Sequence, residues 1–300
     1  MIKEQSFISA LVSVQDDGPE NLRFFQTLYR CLDELFLQFE LIAVNENSAQ
    51  NDARNLREWA KGIHKPLTII NMSLHQPHEQ CMNAGLDCCI GDYIYEFDTV
   101  RMPYPPGLIG EAYQLARQGN DIVKICPNRE RLTSRCFYRL FNAHSHAAYP
   151  LRTDAFRIVS RRAVNRVHSI SENLPYRKAA YAACGLRTAE LEFDGAIRGN
   201  ESGRFNLAVD SLVLYTDFGY KFSVGFTVLM ILATTAELVY TLVIWLTGRP
   251  IAGWTTTMFV LTFGLTGLFC IQAILLKYVT ILLSLTFKKK SYLFESIEKL

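Results

Sequence analysis

Two long apolar runs near the C-terminal end restrict what this 300-residue chain can fold into more than any other feature. Residues 222–246 (FSVGFTVLMILATTAELVYTLVIWL) carry a single charge, Glu237, and residues 254–276 (WTTTMFVLTFGLTGLFCIQAILL) carry none. As a helix, either run would be roughly 35 Å long, enough to cross a hydrocarbon core of about 30 Å. The segment TGRPIAG between them holds the Gly and Pro of a tight turn. Lys221 precedes the first run, Lys288, Lys289 and Lys290 follow the second, and Arg249 is the cation between them. That asymmetry predicts a hairpin with both chain ends in the cytoplasm. Two helices buried in a protein core are the competing reading, which the length and the flanking lysines disfavour. Glu237 falls near mid-span, where it is either a protonated carboxyl bonded to Gln272 or a threonine, or a contact for a lipid head group or another subunit.

The flanks fit the same picture. Residues 205–220 (FNLAVDSLVLYTDFGY) set Leu207, Leu212 and Leu214 among polar residues, as an interfacial helix would. Residues 278–300 run apolar, then basic, then mixed, which predicts a helix leaving the membrane and lying along its surface. The expected division is a cytosolic domain over 1–204, a juxtamembrane segment over 205–221, the hairpin over 222–283 and a cytoplasmic tail over 284–300.

Residues 1–221 carry most of the charge. A net charge of +2 is too small to imply nucleic-acid binding. Eight cysteines without a CxxC pair read as reduced, mostly buried thiols of a cytosolic compartment. The start, MIKEQSFISALVSVQDD, lacks a signal peptide, because its apolar run is short and leads straight into acids.

Within this part, short apolar runs alternate with amphipathic segments, the pattern of βαβ units and a mainly parallel sheet. Strands are expected at 7–14, 39–44, 67–71, 93–97 and 121–125, and helices at 20–35, 49–61, 79–89 and 107–118. Open α/β sheets bind ligands beyond the carboxyl ends of their strands. Residues 15–18, 45–48, 73–78 and 98–102 therefore fall together. They hold Asp16 and Asp17, then Glu46 with Asn47 and Ser48, then Asp98. Carboxylates so placed suit ribose hydroxyls or a divalent cation on a diphosphate. Singly, each suits a turn or helix cap equally well.

Several blocks then take on a common meaning: EQCMNAGLDCCIGDYIYEFDTVRMPYPPGLI, LTSRCFYRLFN, FRIVSRRAV, RGNESGRFNL and the terminal KYVTILLSLTFKKKSYLF. Over nearly its full length the chain resembles the family 2 (GT-A fold) polyprenyl-phosphate glycosyltransferases, which join a cytosolic transferase domain to a C-terminal transmembrane hairpin. The fold this implies is α/β: a GT-A (Rossmann-like), mainly parallel sheet, then interfacial helices and two transmembrane helices. The sequence departs from the family at several acids. Its DxD motif reads Asp98-Thr99-Val100, the paired Asp after the second strand becomes Asn45-Glu46, and Asp16-Asp17 stand where Asn-Glu is usual. Pro77 replaces a Gly, and a family Asp falls on Ala155 with Asp154 one place early.

The resemblance implies that a polyprenyl (undecaprenyl or dolichyl) phosphate attacks the anomeric carbon of a nucleotide sugar at the cytoplasmic face, as in a bacterial inner membrane. A phosphate nucleophile is largely ionised at neutral pH, which lessens the need for a general base. Charge on the leaving diphosphate still needs stabilising. Asp98 would do this by holding Mg²⁺ or Mn²⁺, or Arg101 by its own charge. The expected catalytic residues are Asp98, Arg101 and Asp154, and the nucleotide-binding residues Ser13, Asp17, Glu46, His78 and Asp98. Arg131, Arg135, Arg198, Ser202 and Arg204 are the candidates for diphosphate or lipid phosphate, against ordinary surface polarity beside an anionic membrane. Arg129, Arg131, Arg135 and Arg139 form a helical stripe, either solvated or phosphate-binding. His75, His78 and Cys81, with His144 and His146, have the look of a zinc set, although zinc needs a thiolate and a rigid fourth ligand. The expected partners are donor, lipid phosphate, membrane and a homo-oligomer. The rival function is a catalytically impaired scaffold or partner subunit, which the altered DxD favours.

Overall fold

The computed structural model describes residues 3–15, 18–46, 53–73, 76–145, 147–170, 174, 176–197 and 292–300, with scattered positions between 212 and 282. The chain divides into two compact units, Met1–Ala208 with Lys288–Leu300, and Val209–Phe287.

The first unit is built on strands β1 (Ile8–Val14), β2 (Phe39–Asn45), β3 (Leu67–Met72), β4 (Tyr93–Phe97), β5 (Ile122–Pro127), β6 (Phe156–Ser160), β7 (Thr188–Phe193) and β8 (Phe294–Lys299). They join in the order β7-β5-β6-β4-β1-β2-β3-β8. The run β3-β2-β1-β4 is parallel. β6 lies antiparallel between β4 and β5, and β7 returns parallel to β5. Helices α1 (Pro19–Leu35), α2 (Arg54–Ala60) and α4 (Leu108–Arg117) cover one face, and α3 (His78–Cys88), α6 (Arg161–Ile170) and α7 (Arg177–Ala183) the other. Helix α5 (Leu132–His144) follows β5.

Period two in the strands meets period 3.6 in the helices. Ile8, Ala10, Val12 and Val14 of β1 join Phe24, Phe25, Leu28 and Leu32 of α1 in one core. Leu11, between them, joins Met82 and Leu86 of α3 in the other. Covered on both faces, these strands read as near-continuous apolar runs, so the expected strands are found within about two residues of their expected ends. Helix α2 begins at Arg54, later than the expected 49, and Pro19 opens α1 as a proline suits a first helical turn.

The tail differs from expectation. Residues 278–300 were expected as a surface helix, yet Phe294–Lys299 form β8, antiparallel to β3 from Thr68↔Lys299 to Met72↔Phe294. The reason is the open edge of β3, a row of backbone donors and acceptors that a strand satisfies and a helix does not. Side chains fix the register. Arg57 donates twice to Glu298 at 2.7 Å, and Asn71 Nδ2 donates to Ser296 Oγ and Glu298 Oε1, both at 2.9 Å. Just before β8, Leu293 N donates to Gln76 Oε1 at 3.0 Å.

Among the described residues no helix is long and apolar enough to cross a membrane. The two expected spans lie mostly outside the described residues, and so does Glu237. Within the second unit, Phe226 packs on Phe263 with ring centroids 6.0 Å apart, and a Cβ at Gly267 would collide with its ring.

Gly91, in the turn before β4, lies hard against β1: a Cβ there would sit 2.5 Å from Ser9 N and 2.9 Å from Ile8 C, both backbone atoms. Gly107 has nothing within 4 Å of the same position. Gly91→Ala should therefore cost about 1–3 kcal/mol of stability, whereas Gly107→Ala should be neutral or stabilising by up to about 1 kcal/mol. Thermal unfolding of the two purified variants beside the parent checks this.

Candidate functional site

Strand β4 sends Tyr95 and Phe97 into the core shared with α1. Alternation turns Glu96 the other way, toward α3 and α7, and Asp98 follows where the strand ends. Across the antiparallel pair, Arg157 of β6 stands directly opposite Glu96. Glu96 is 0 % exposed and Arg157 2 %, so their charges need partners within the protein.

Those partners form one network. Arg157 donates to Asp154 Oδ2 at 2.9 Å, Glu96 Oε2 at 2.7 Å and Asp98 Oδ2 at 2.7 Å. Arg177, in the first turn of α7 and 0 % exposed, donates to Glu79 Oε2 at 2.9 Å, Glu96 Oε2 at 2.5 Å and Asp98 Oδ1 at 2.7 Å. Tyr181 donates to the other Glu96 oxygen at 2.5 Å, and the Lys178 ammonium pairs with Asp154. At the open end, His78 bridges Glu46, 2.5 Å from Nδ1, and Asp98, 3.6 Å from Nε2. Ser13 Oγ and Gln15 Nε2 donate to Glu46 at 2.6 and 3.2 Å.

Pairing outweighs burial throughout. Burial raises the Asp98 pKa, but the charges of Arg157 and Arg177 and the His78 hydrogen bond hold it well below the carboxylate range. Asp154 is likewise lowered, against burial, by Arg157 and Lys178. Burial would lower His78, yet its bonds to Asp98 and Glu46 push it up to about 10. At neutral pH the site is thus a set of ionised carboxylates with a cationic imidazole at its mouth.

Of the expected residues, Ser13, Glu46, His78, Asp98 and Asp154 are brought into this one network. Arg101 is exposed in the loop beyond Asp98, and Arg131 and Arg135 lie at the start and on the exposed face of α5. Asp17, Arg198, Ser202 and Arg204 lie outside the described residues, as do Asp16, Asn47, Ser48, His75 and His146. Sequence reasoning missed Glu79, Glu96, Arg157, Arg177, Lys178 and Tyr181. The available signal was a charge at the centre of a doubly covered strand, Glu96 in YIYEF and Arg157 in FRIVS.

A divalent cation held by the protein needs carboxylate charge that fixed cations have not already taken up. Both oxygens of Asp98 already accept from guanidinium groups, and Val100 packs against the core where a second acid would stand. Among the described residues no group of three or more His, Cys, Asp or Glu is placed to hold a metal ion. The described residues, paired as they are, do not fit a protein-held Mg²⁺ or Mn²⁺. For zinc, Cys81 is a buried thiol pushed up to about 12 by burial, donating to the Gln76 carbonyl.

No protein-family model matches the chain. It is 26% identical over 216 residues to an uncharacterized glycosyltransferase of Synechocystis, covering 67% of this chain and 66% of that protein. It is 24% identical to a prophage bactoprenol glucosyl transferase homolog of Escherichia coli, covering 70% and 72%. Among solved structures it resembles a mannosyltransferase of Pyrobaculum calidifontis, described in complex with GDP-Man and Mn²⁺, with a TM-score of 0.52, 16% identity and coverage of 70% and 63%. The chain thus spans just under two thirds of the Synechocystis relative. Its fold is GT-A-like, an α/β sandwich around a mainly parallel sheet. The curated relatives it matches are themselves named as glycosyltransferases.

Two outcomes follow from the network. Arg177→Met strands buried carboxylates and should cost about 3–5 kcal/mol, read as a large drop in thermal midpoint. His78 has a folded pKa of about 10, above the roughly 6.5 of an unfolded imidazole. Its contribution is complete below pH of about 6.5 and is lost as pH rises toward 10. Stability measured from pH 7 to 10 should therefore fall in the parent and fall less steeply in His78→Gln.

Proposed function

We propose that this chain transfers a sugar from a nucleotide-sugar donor to a polyprenyl phosphate at the cytoplasmic face of a membrane. The observation that carries this reading is the position of the charged network. Ser13, Glu46, His78 and Asp98 meet beyond the carboxyl ends of β1, β2 and β4, where open parallel sheets take their ligands. The E. coli relative, named for bactoprenol glucosyl transfer, supports a polyprenyl acceptor. The apolar runs at 222–246 and 254–276 support an anchor that keeps residues 1–204 beside the lipid, with both ends in the cytoplasm and association into oligomers through the hairpin and tail.

In this reading the lipid phosphate is the nucleophile and the nucleoside diphosphate departs. The acceptor oxygen is already ionised, so no side chain has to remove a proton. Asp154, held as a carboxylate between Arg157 and Lys178, orients Arg157. His78, cationic at neutral pH, is the group assigned to the charge that develops on the leaving group. Arg131, Arg135, Arg198, Ser202 and Arg204 are the residues assigned to the acceptor phosphate. The rival reading, a catalytically impaired scaffold at the membrane, draws on Asp98 being fully engaged by arginines.

The purified full chain, given labelled UDP- and GDP-sugars and undecaprenyl phosphate in detergent, should form a lipid-extractable labelled product. His78→Gln should lower its kcat by about tenfold or more. No product across donors and acceptors, with nucleotide binding retained, would leave the scaffold reading in its place.

A further inference from the structure

The carboxylates gathered at the ends of β2 and β4 and around Arg157 are each paired with a cation. Asp98 Oδ2 accepts from Arg157 and Oδ1 from Arg177. Glu96 Oε2 accepts from both arginines and Oε1 from Tyr181. Asp154 Oδ2 accepts from Arg157, and its Oδ1 faces the Lys178 ammonium. Glu46 Oε1 meets Ser13 and His78, and Oε2 meets Gln15. Five carboxylates, with Glu79 the fifth, thus face four cations, Arg157, Arg177, Lys178 and His78, a formal excess of one negative charge.

An arriving divalent cation would have to displace a guanidinium that has almost no water to move into, since Arg157 is 2 % and Arg177 0 % exposed. It would find no second acid at Val100. Those arginines do not reach solvent, so they cannot meet a ligand's charge at close range. Among the described residues, the groups of this region that do are His78, 28 % exposed, and Arg101, exposed in the loop leaving Asp98.

Resting on the sugar-transfer reading, we propose that Asp98 is a positioning residue that fixes Arg157, Arg177 and His78, and that a nucleoside diphosphate binds without a protein-held divalent cation, its charge met by His78 and Arg101. Asp98, in this arrangement, is the counter-ion of a buried double-arginine clamp. The charge that a metal supplies in other sites is then built from side chains, and it depends on the network staying intact.

Titration calorimetry on the full chain in detergent tests this with UDP and GDP, each in excess EDTA and in Mn²⁺. The affinity should agree within about threefold between the two conditions. His78→Gln and Arg101→Ala should each weaken it by about tenfold or more in both. Binding that appears only in Mn²⁺, or is tighter there by more than about tenfold, overturns this proposal while leaving the donor-binding reading standing. Absence of binding in both conditions overturns the two together. Asp98→Asn separates the roles further: a positioning residue lowers nucleotide affinity equally in EDTA and Mn²⁺, and a metal ligand lowers it in Mn²⁺ alone. Because that variant risks misfolding, Mn²⁺ paramagnetic resonance of the parent chain without nucleotide stands beside it. The spectrum of free aqueous Mn²⁺ supports the proposal, and a protein-bound signal overturns it.

Discussion

Two guanidinium groups shut away from water dictate the arrangement of everything around them. A lone charge at the exposure of Arg157 or Arg177 is among the costliest things a protein interior can hold. It persists here because β4 supplies Glu96 and Asp98, α3 supplies Glu79, and the segment before β6 supplies Asp154. The relation runs both ways, since the charge of Arg157 helps hold Asp98 and Asp154 below the carboxylate range against their burial. Strand alternation, the antiparallel register of β6 and the first turn of α7 are thereby tied to one electrostatic condition. Replacing such a set with apolar side chains is often neutral for stability, so what the charges contribute is orientation: they fix the edge of the cleft to within hydrogen-bonding tolerance.

Most of the sheet was legible from the chain alone. Ile8–Val14, Phe39–Asn45, Leu67–Met72 and Tyr93–Phe97 are short apolar runs bounded by turns, and burial on both faces leaves that mark whatever the wider fold. The strand ends also announced Glu46 and Asp98. What could not be read was pairing at long range. Glu96 and Arg157 are 61 residues apart, and Arg177 lies 81 beyond Glu96. No periodicity or spacing brings them together, because the antiparallel insertion of β6 beside β4 is a matter of topology. Asp154 surfaced through family likeness, one place from its expected position, but its role as a partner of Arg157 and Lys178 needed the three-dimensional arrangement.

The valine of Asp98-Thr99-Val100 gains a physical meaning from the same arrangement. With Val100 packed against the core and Asp98 bound by two arginines, an apolar residue at position 100 suits its surroundings. A free carboxylate at position 100, beside Asp98, would place further negative charge against a ligand that is itself anionic. Val100 adds no such charge, and Arg157 and Arg177 each pair with one oxygen of Asp98.

The return of the chain to its first sheet has a consequence for biosynthesis. Strand β8 is made after residues 222–283, so the ribosome must extrude the whole apolar stretch before the flank of β3 can close. Until then Leu67–Met72 is an open template, and Arg57 and Asn71 await their acidic partner. Maturation of the sheet is therefore coupled to disposal of the apolar segment, and a fragment cut ahead of it would carry every cleft residue yet keep a bare, adhesive flank.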